Sequence, residues 1–216
     1  MNNKKLSLQS FLFIPLTIAS LCLGPSLVSA VEVEGVSLPD TQTIGTKTLK
    51  ITGRPAVRKA TIFAVKVYAG ALYLETPLAA MDSSKKISDD ELKTRGRDLV
   101  SSPQIKRVQM TFVRDVSGKD IQKTWRENFE KNCGSECEKY KGKLEELVEF
   151  LKDDVKKGDT FVFSFLGDQN EVKIRAQSSE SLSKTVGDAT FGRILLSAWV
   201  VNVSATEVRD AFLGKP

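Results

Sequence analysis

Few side chains in this sequence could carry chemistry, and they gather in three places. Arg58, Lys66, Tyr68 and Tyr73 lie along or beside one apolar run, Arg114 and Asp115 close another, and Trp125 and Asn132 share a helical segment. A guanidinium offers a carboxylate two parallel N–H donors and a phenol adds a third, so an arginine and a tyrosine suffice to anchor an anion. The chain contains no histidine, which removes Ser-His-Asp and Cys-His nucleophile systems and every imidazole metal ligand. Three cysteines, one of them in the leader, cannot form a Cys-only zinc site. No phosphate loop, paired-carboxylate motif or metal spacing is present. Neither a metal nor a cofactor is expected.

These residues must be positioned by a small set of elements. The run TIFAVKVYAGALYLE, residues 61–75, is rich in β-branched and aromatic side chains and reads as the strongest strand. Strict alternation puts Val65, Val67, Ala69 and Ala71 on one face and Lys66, Tyr68, Gly70 and Leu72 on the other, so the Lys66 face must open toward a cleft or solvent. Upstream, Leu49–Thr52 alternates as a strand and Gly53-Arg54-Pro55 interrupts it. Arg107–Arg114 is a further strand. The charged stretch between them carries at most one helical turn, near Leu92.

Asp115–Asn132 has helical periodicity with Ser117 or Asp120 as N-cap, and a second helix spans about Glu138 to Val155, closed by Lys156-Lys157-Gly158. A hairpin follows, turning at Gly167–Asn170. Two helices end the chain, Asp188–Val201 and Thr206–Leu213. Strands, two helices, a hairpin and two helices lack regular βαβ alternation. The order fits an α+β fold, a large antiparallel sheet with a layer of helices on one face.

Residues 1–30 place Lys4 and Lys5 before an apolar stretch and end in Val28-Ser29-Ala30, with no acidic residue. This reads as a signal peptide, leaving a domain of residues 31–216 that is periplasmic or secreted and not stably inserted in a membrane. Cleavage would lower 32 basic residues to 30 against 27 acidic ones, too balanced for a nucleic-acid partner. In an oxidising compartment Cys133 and Cys137 can form a disulfide if the helix ends near Gly134; otherwise both remain thiols. Their spacing is not that of a redox C-x-x-C pair.

The stretches GRPAVRKATIFAVKVYAGALYLE, FVRDVSGKDIQKTWRENFEKN, KKGDTFVFSF and FGRILLSAWVVNVSATEVRDAFLG, in that order, resemble the chalcone isomerase-like family over about Gly35 to Gly214. The resemblance implies an open-faced sandwich with a ligand cleft between sheet and helices. In catalytic plant members an Arg polarises the substrate, a Thr and a Tyr organise a water, and a Lys, an Asn and a second Thr or Ser complete the cleft. Arg58 and Asn132 match unchanged. Tyr68 stands at the Thr, Trp125 at the Tyr and Ser197 at the second Thr, and the Lys has no counterpart.

An indole cannot exchange a proton as a phenol can, so the isomerase water network is not reproduced. Non-catalytic members with this fold bind fatty acids through an Arg and a Tyr, which Arg58 and Tyr68 resemble. The resemblance therefore implies a small amphipathic carboxylate such as a fatty acid as partner, with Arg58, Tyr68, Trp125, Asn132 and Ser197 as ligand-binding residues. Two alternatives stand beside it: an isomerase or intramolecular lyase using Arg58, and an interaction domain whose cleft is filled by its own side chains. Each residue also has a plain structural role open to it. Arg58 could face solvent in a turn, Tyr68, Trp125 and Trp199 could be core, and Asn132 could cap its helix.

Overall fold

The computed structural model describes residues 29–60, 65–177 and 181–216. The expected signal peptide, up to residue 28, and Cys22 lie outside the described residues, as do residues 61–64 of the long strand.

A hairpin opens the described chain, β1 (Ala30–Val33) and β2 (Val36–Pro39). A sheet of seven strands follows: β3 (Thr41–Ile44), β4 (Lys47–Ala60), β5 (Val65–Leu74), β6 (Lys106–Phe112), β7 (Thr160–Phe165), β8 (Gln169–Arg175) and β9 (Leu182–Asp188). Its spatial order is the chain order and every neighbour is antiparallel. Helix α1 (Asp89–Ser101) joins β5 to β6, α2 (Gly118–Asn132) and α3 (Cys137–Phe150) join β6 to β7, and α4 (Ala189–Val200) and α5 (Thr206–Phe212) end the chain. The helices cover one face, burying Leu72, Leu74, Val108 and Phe163 of the sheet against Leu99, Trp125, Leu147 and Trp199. This is the expected α+β sandwich. On the opposite face a small second core, Leu38, Leu49, Ala71 and Tyr73, lies partly under β1–β2.

Several elements depart from the sequence expectation. Gly53-Arg54-Pro55 does not end a strand: β4 runs through it with a register shift between Thr52 and Ala56. Gly53 has φ +61°, and a Cβ there would overlap the carbonyl oxygens of Ala211 and Phe212, so glycine is what lets α5 close onto β4. The charged stretch forms all of α1 rather than one turn. Its signal is a capping box, with Ser88 Oγ accepting from Glu91 N while the Glu91 carboxylate accepts from Ser88 N.

Helix α3 stops at Phe150 instead of Val155, because Val155 makes two backbone hydrogen bonds to Val116. Strands β3 and β9 carry too few apolar residues to alternate visibly; in β9 only Val186 is buried. Cys133 and Cys137 are joined by a disulfide, Cα–Cα 4.9 Å, linking the end of α2 to the start of α3.

Candidate functional site

Strands β4 and β5 hold Arg58 directly opposite Tyr68, and β6 places Phe112 opposite Tyr68 in turn. Between Arg58 and Lys59 the register shifts, because Lys59 pairs with Lys66 and leaves Val67 as an extra residue. Such a bulge re-aims side chains. Val67 therefore joins Tyr68 on the helix side, while Lys66 reaches Glu34 at 2.6 Å. The alternation expected for Lys66 and Tyr68 breaks at this point.

Above this row, α2, α4 and the start of α5 enclose a cleft of about 490 Å3. Met110, Phe112 and Phe161 form its sheet wall, and Ile121, Trp125 and Trp199 its helix wall. Trp125 and Trp199 are nearly buried and meet edge-on at 5.2 Å, each within 5.2 Å of Phe163. Aromatic pairs of this geometry add about 0.5–1.5 kcal/mol each beyond area burial, which makes this wall rigid. Polar groups stand at the rim: Arg58, Arg114 and Lys123 as cations, Asp120 and Glu127 as anions.

Arg58 is three-quarters buried, and its Nη1 donates to the carbonyl of Lys59 while lying 3.8 Å from Glu207 Oε1. The same Glu207 oxygen accepts from Lys59 N at 3.3 Å. Glu207, in the first turn of α5, thus presents an internal carboxylate to the guanidinium. Burial pushes the Tyr68 phenol up to about 12, against the pull of the Trp199 side chain and of the Arg58 charge. At neutral pH Tyr68 is a protonated donor. It is no base.

The structure brings Arg58, Tyr68 and Trp125 together on the cleft. Asn132 and Ser197 are not among its lining residues. Asn132 Nδ2 donates to the carbonyls of Asn128 and Asn202 and ties the end of α2 to the α4–α5 loop. Ser197 Oγ donates back to Arg193 O within α4. Trp199 and Val208, which sequence reasoning gave to the core or passed over, do line the cleft, as does Arg114. Only Arg114 carried a sequence signal, as a cation at the end of a strand.

An antiparallel sheet layered by helices on one face, with an apolar cleft between and an arginine at its rim, defines a class of sheet–helix sandwich proteins. The family model described as chalcone isomerase-like matches residues 30–214, and the chain belongs to that family. Among solved structures it is similar to the crystal structure of an Arabidopsis thaliana fatty-acid binding protein. The match has a TM-score of 0.57 and 14% sequence identity, and covers 86% of this chain and 96% of that one. At that identity the likeness shows the fold. No curated protein matches. Among the described residues no helix is long and apolar enough to cross a membrane, and no cluster of His, Cys, Asp or Glu could hold a metal ion.

Proposed function

We propose that this protein is an exported, non-catalytic member of the family that holds a small amphipathic carboxylate, a fatty acid first among candidates, in the sheet–helix cleft. The observation that carries the reading is the Arg58–Tyr68 pair, opposite in register at the rim of an apolar volume of about 490 Å3. Small-molecule sites span about 300–1,000 Å3 and combine apolar walls with a few convergent polar groups. The guanidinium and phenol supply charge-assisted and neutral hydrogen bonds to one carboxylate, and the aromatic walls receive the chain. An open volume of this size weighs against a cleft filled by its own side chains.

Catalysis has little to work with here. A phenol held at about 12 does not take up a proton at neutral pH, and Trp125 offers a donor only. Export is supported by the sequence of residues 1–30, with its lysines, apolar stretch and small-residue end.

Titration of the purified protein with saturated fatty acids of increasing length tests the reading. Affinity should rise by up to about 0.8 kcal/mol per methylene and then level off when the cleft is full. No binding at any length, or an affinity independent of length, would sink it.

A further inference from the structure

A second cavity, of about 330 Å3, opens at the other end of the same layer between sheet and helices. Its walls come from Ser101 and Ser102 at the end of α1, Lys106 at the start of β6, Phe165 at the end of β7, and Gly192 and Arg193 of α4. Strand β6 runs from Lys106 here to Phe112 in the main cleft, about 20 Å away at the rise of a strand.

Lys106 is only 5% exposed. Its ammonium donates to the carbonyls of Ser102 and, at 3.0 Å, Gln104, which accounts for two of its three N–H donors. The carbonyl end of α1 compensates part of the charge. Among the described residues no carboxylate lines the cavity, and the charge that bears most on Lys106 is Arg193, of the same sign. Burial and that repulsion hold the ammonium at about 8, still mostly protonated at neutral pH. Arg193 is exposed, and its guanidinium donates to the Thr190 hydroxyl at 2.7 Å. Asp188, at the head of α4, spends its carboxylate on the amides of Thr190 and Phe191 and on the Tyr140 hydroxyl.

A buried cation facing another cation without a counter-charge is costly unless something neutralises it. Two unneutralised charges call for a dianion rather than a monocarboxylate, and the exposed Ser101 adds a hydroxyl, whereas Ser102, Gln104 and Asn170 spend their donors on Leu99 O, Ser102 Oγ and the carbonyls of Val186 and Asp188. We propose that this cavity binds phosphate, free or as the head of a small phosphate monoester, between Lys106 and Arg193. The volume exceeds that of the ion and leaves room for a small organic part. Nothing in this site depends on what the main cleft binds.

Thermal unfolding and calorimetric titration with inorganic phosphate, at ionic strength held constant with sodium chloride, test the proposal. Wild type should show a saturable rise in Tm, with Kd in about the millimolar range, and acetate should produce none. Lys106→Met should raise the half-saturation concentration about tenfold or more, the loss of a hydrogen bond to a charged group. Arg193→Ala, at an exposed position with little structural duty, should raise it about fivefold or more while leaving fatty-acid binding in the main cleft unchanged. Glycerol phosphate run alongside separates the two sources. Tighter binding than phosphate assigns the remaining volume to an organic moiety, and equal binding assigns the site to the ion. Identical phosphate titrations in wild type and both variants, or a rise with acetate equal to that with phosphate, would overturn the proposal.

Discussion

Strand β5 carries two tyrosines five positions apart, and each stands opposite an arginine across the sheet: Tyr68 opposite Arg58 and Tyr73 opposite Arg107. Burial pushes both phenols up to about 12. There the likeness ends. Tyr68 and Arg58 face an open cleft on the helix side, and the guanidinium has an exposed carboxylate, Glu207, beside it. Tyr73 and Arg107 face the other way and are sealed. Arg107 donates to Ser164 Oγ at 3.0 Å and to Gln42 Oε1 at 2.9 Å, and the buried Tyr73 hydroxyl finds no partner among the described residues. An arginine–tyrosine pair and a raised pKa therefore do not mark a site by themselves. Accessible volume and replaceable partners do.

The largest effect that could break this contrast lies at the sealed pair. Arg107→Ala leaves Ser164 and Gln42 without their donor, and urea unfolding should show a loss of about 3 kcal/mol with fatty-acid affinity unchanged. A weaker affinity without destabilisation would make Arg107 part of a site. Next comes pH. Both phenols have folded pKa values raised above the ordinary 10, so their stability contribution is intact below pH 10 and lost as pH rises toward 12. For fully buried Tyr73 this is about 2–3 kcal/mol, and Tyr73→Phe should remove that share of the alkaline loss.

At the open pair the readout is binding. Arg58→Ala should weaken fatty-acid affinity by about 1.5–3 kcal/mol and change unfolding by less than about 0.5, measured by calorimetry and by urea. Tyr68→Phe should cost about 0.5–1.5 kcal/mol of affinity. An unchanged affinity in both variants would return Arg58 to the role of a surface residue. The smallest effect is also the most specific: Glu207→Gln removes a carboxylate that competes for Arg58, so affinity should improve by up to about 1 kcal/mol, the scale of an exposed ion pair.

What the sequence shows and hides follows the same divide between packing and geometry. β5 and α2 are legible because their apolar residues recur at a single period, and the sandwich follows from the order of such elements. Helix α1 escapes because its strongest signal is a cap rather than a stripe, and β9 because a polar strand with one buried valine does not alternate. At the cleft, Arg58 and Tyr68 come from the family resemblance rather than from pattern, since Gly53-Arg54-Pro55 reads as a break and nothing in the sequence alone puts Arg58 on a strand opposite Tyr68. Val67 comes from neither, since its turn toward the helices depends on a bulge that no side chain announces. Asn132, at the end of α2, and Ser197, within α4, rest on family correspondence alone, and a small shift along a helix rotates a residue off the cleft.

The sheet has one more property that bears on how the protein comes to exist. Because the seven strands lie side by side in the order of the chain, each can add to an edge already made, and no later strand has to insert between earlier ones. Joining β6 to β7 asks most of the chain, since residues 113–159 must close before that pair can form, yet loop-closure entropy grows only slowly with length. A nascent or refolding chain can therefore assemble the sheet progressively from its N-terminal strands, with β9 as the last edge. The aromatic wall of the cleft is finished only when α4 docks on it.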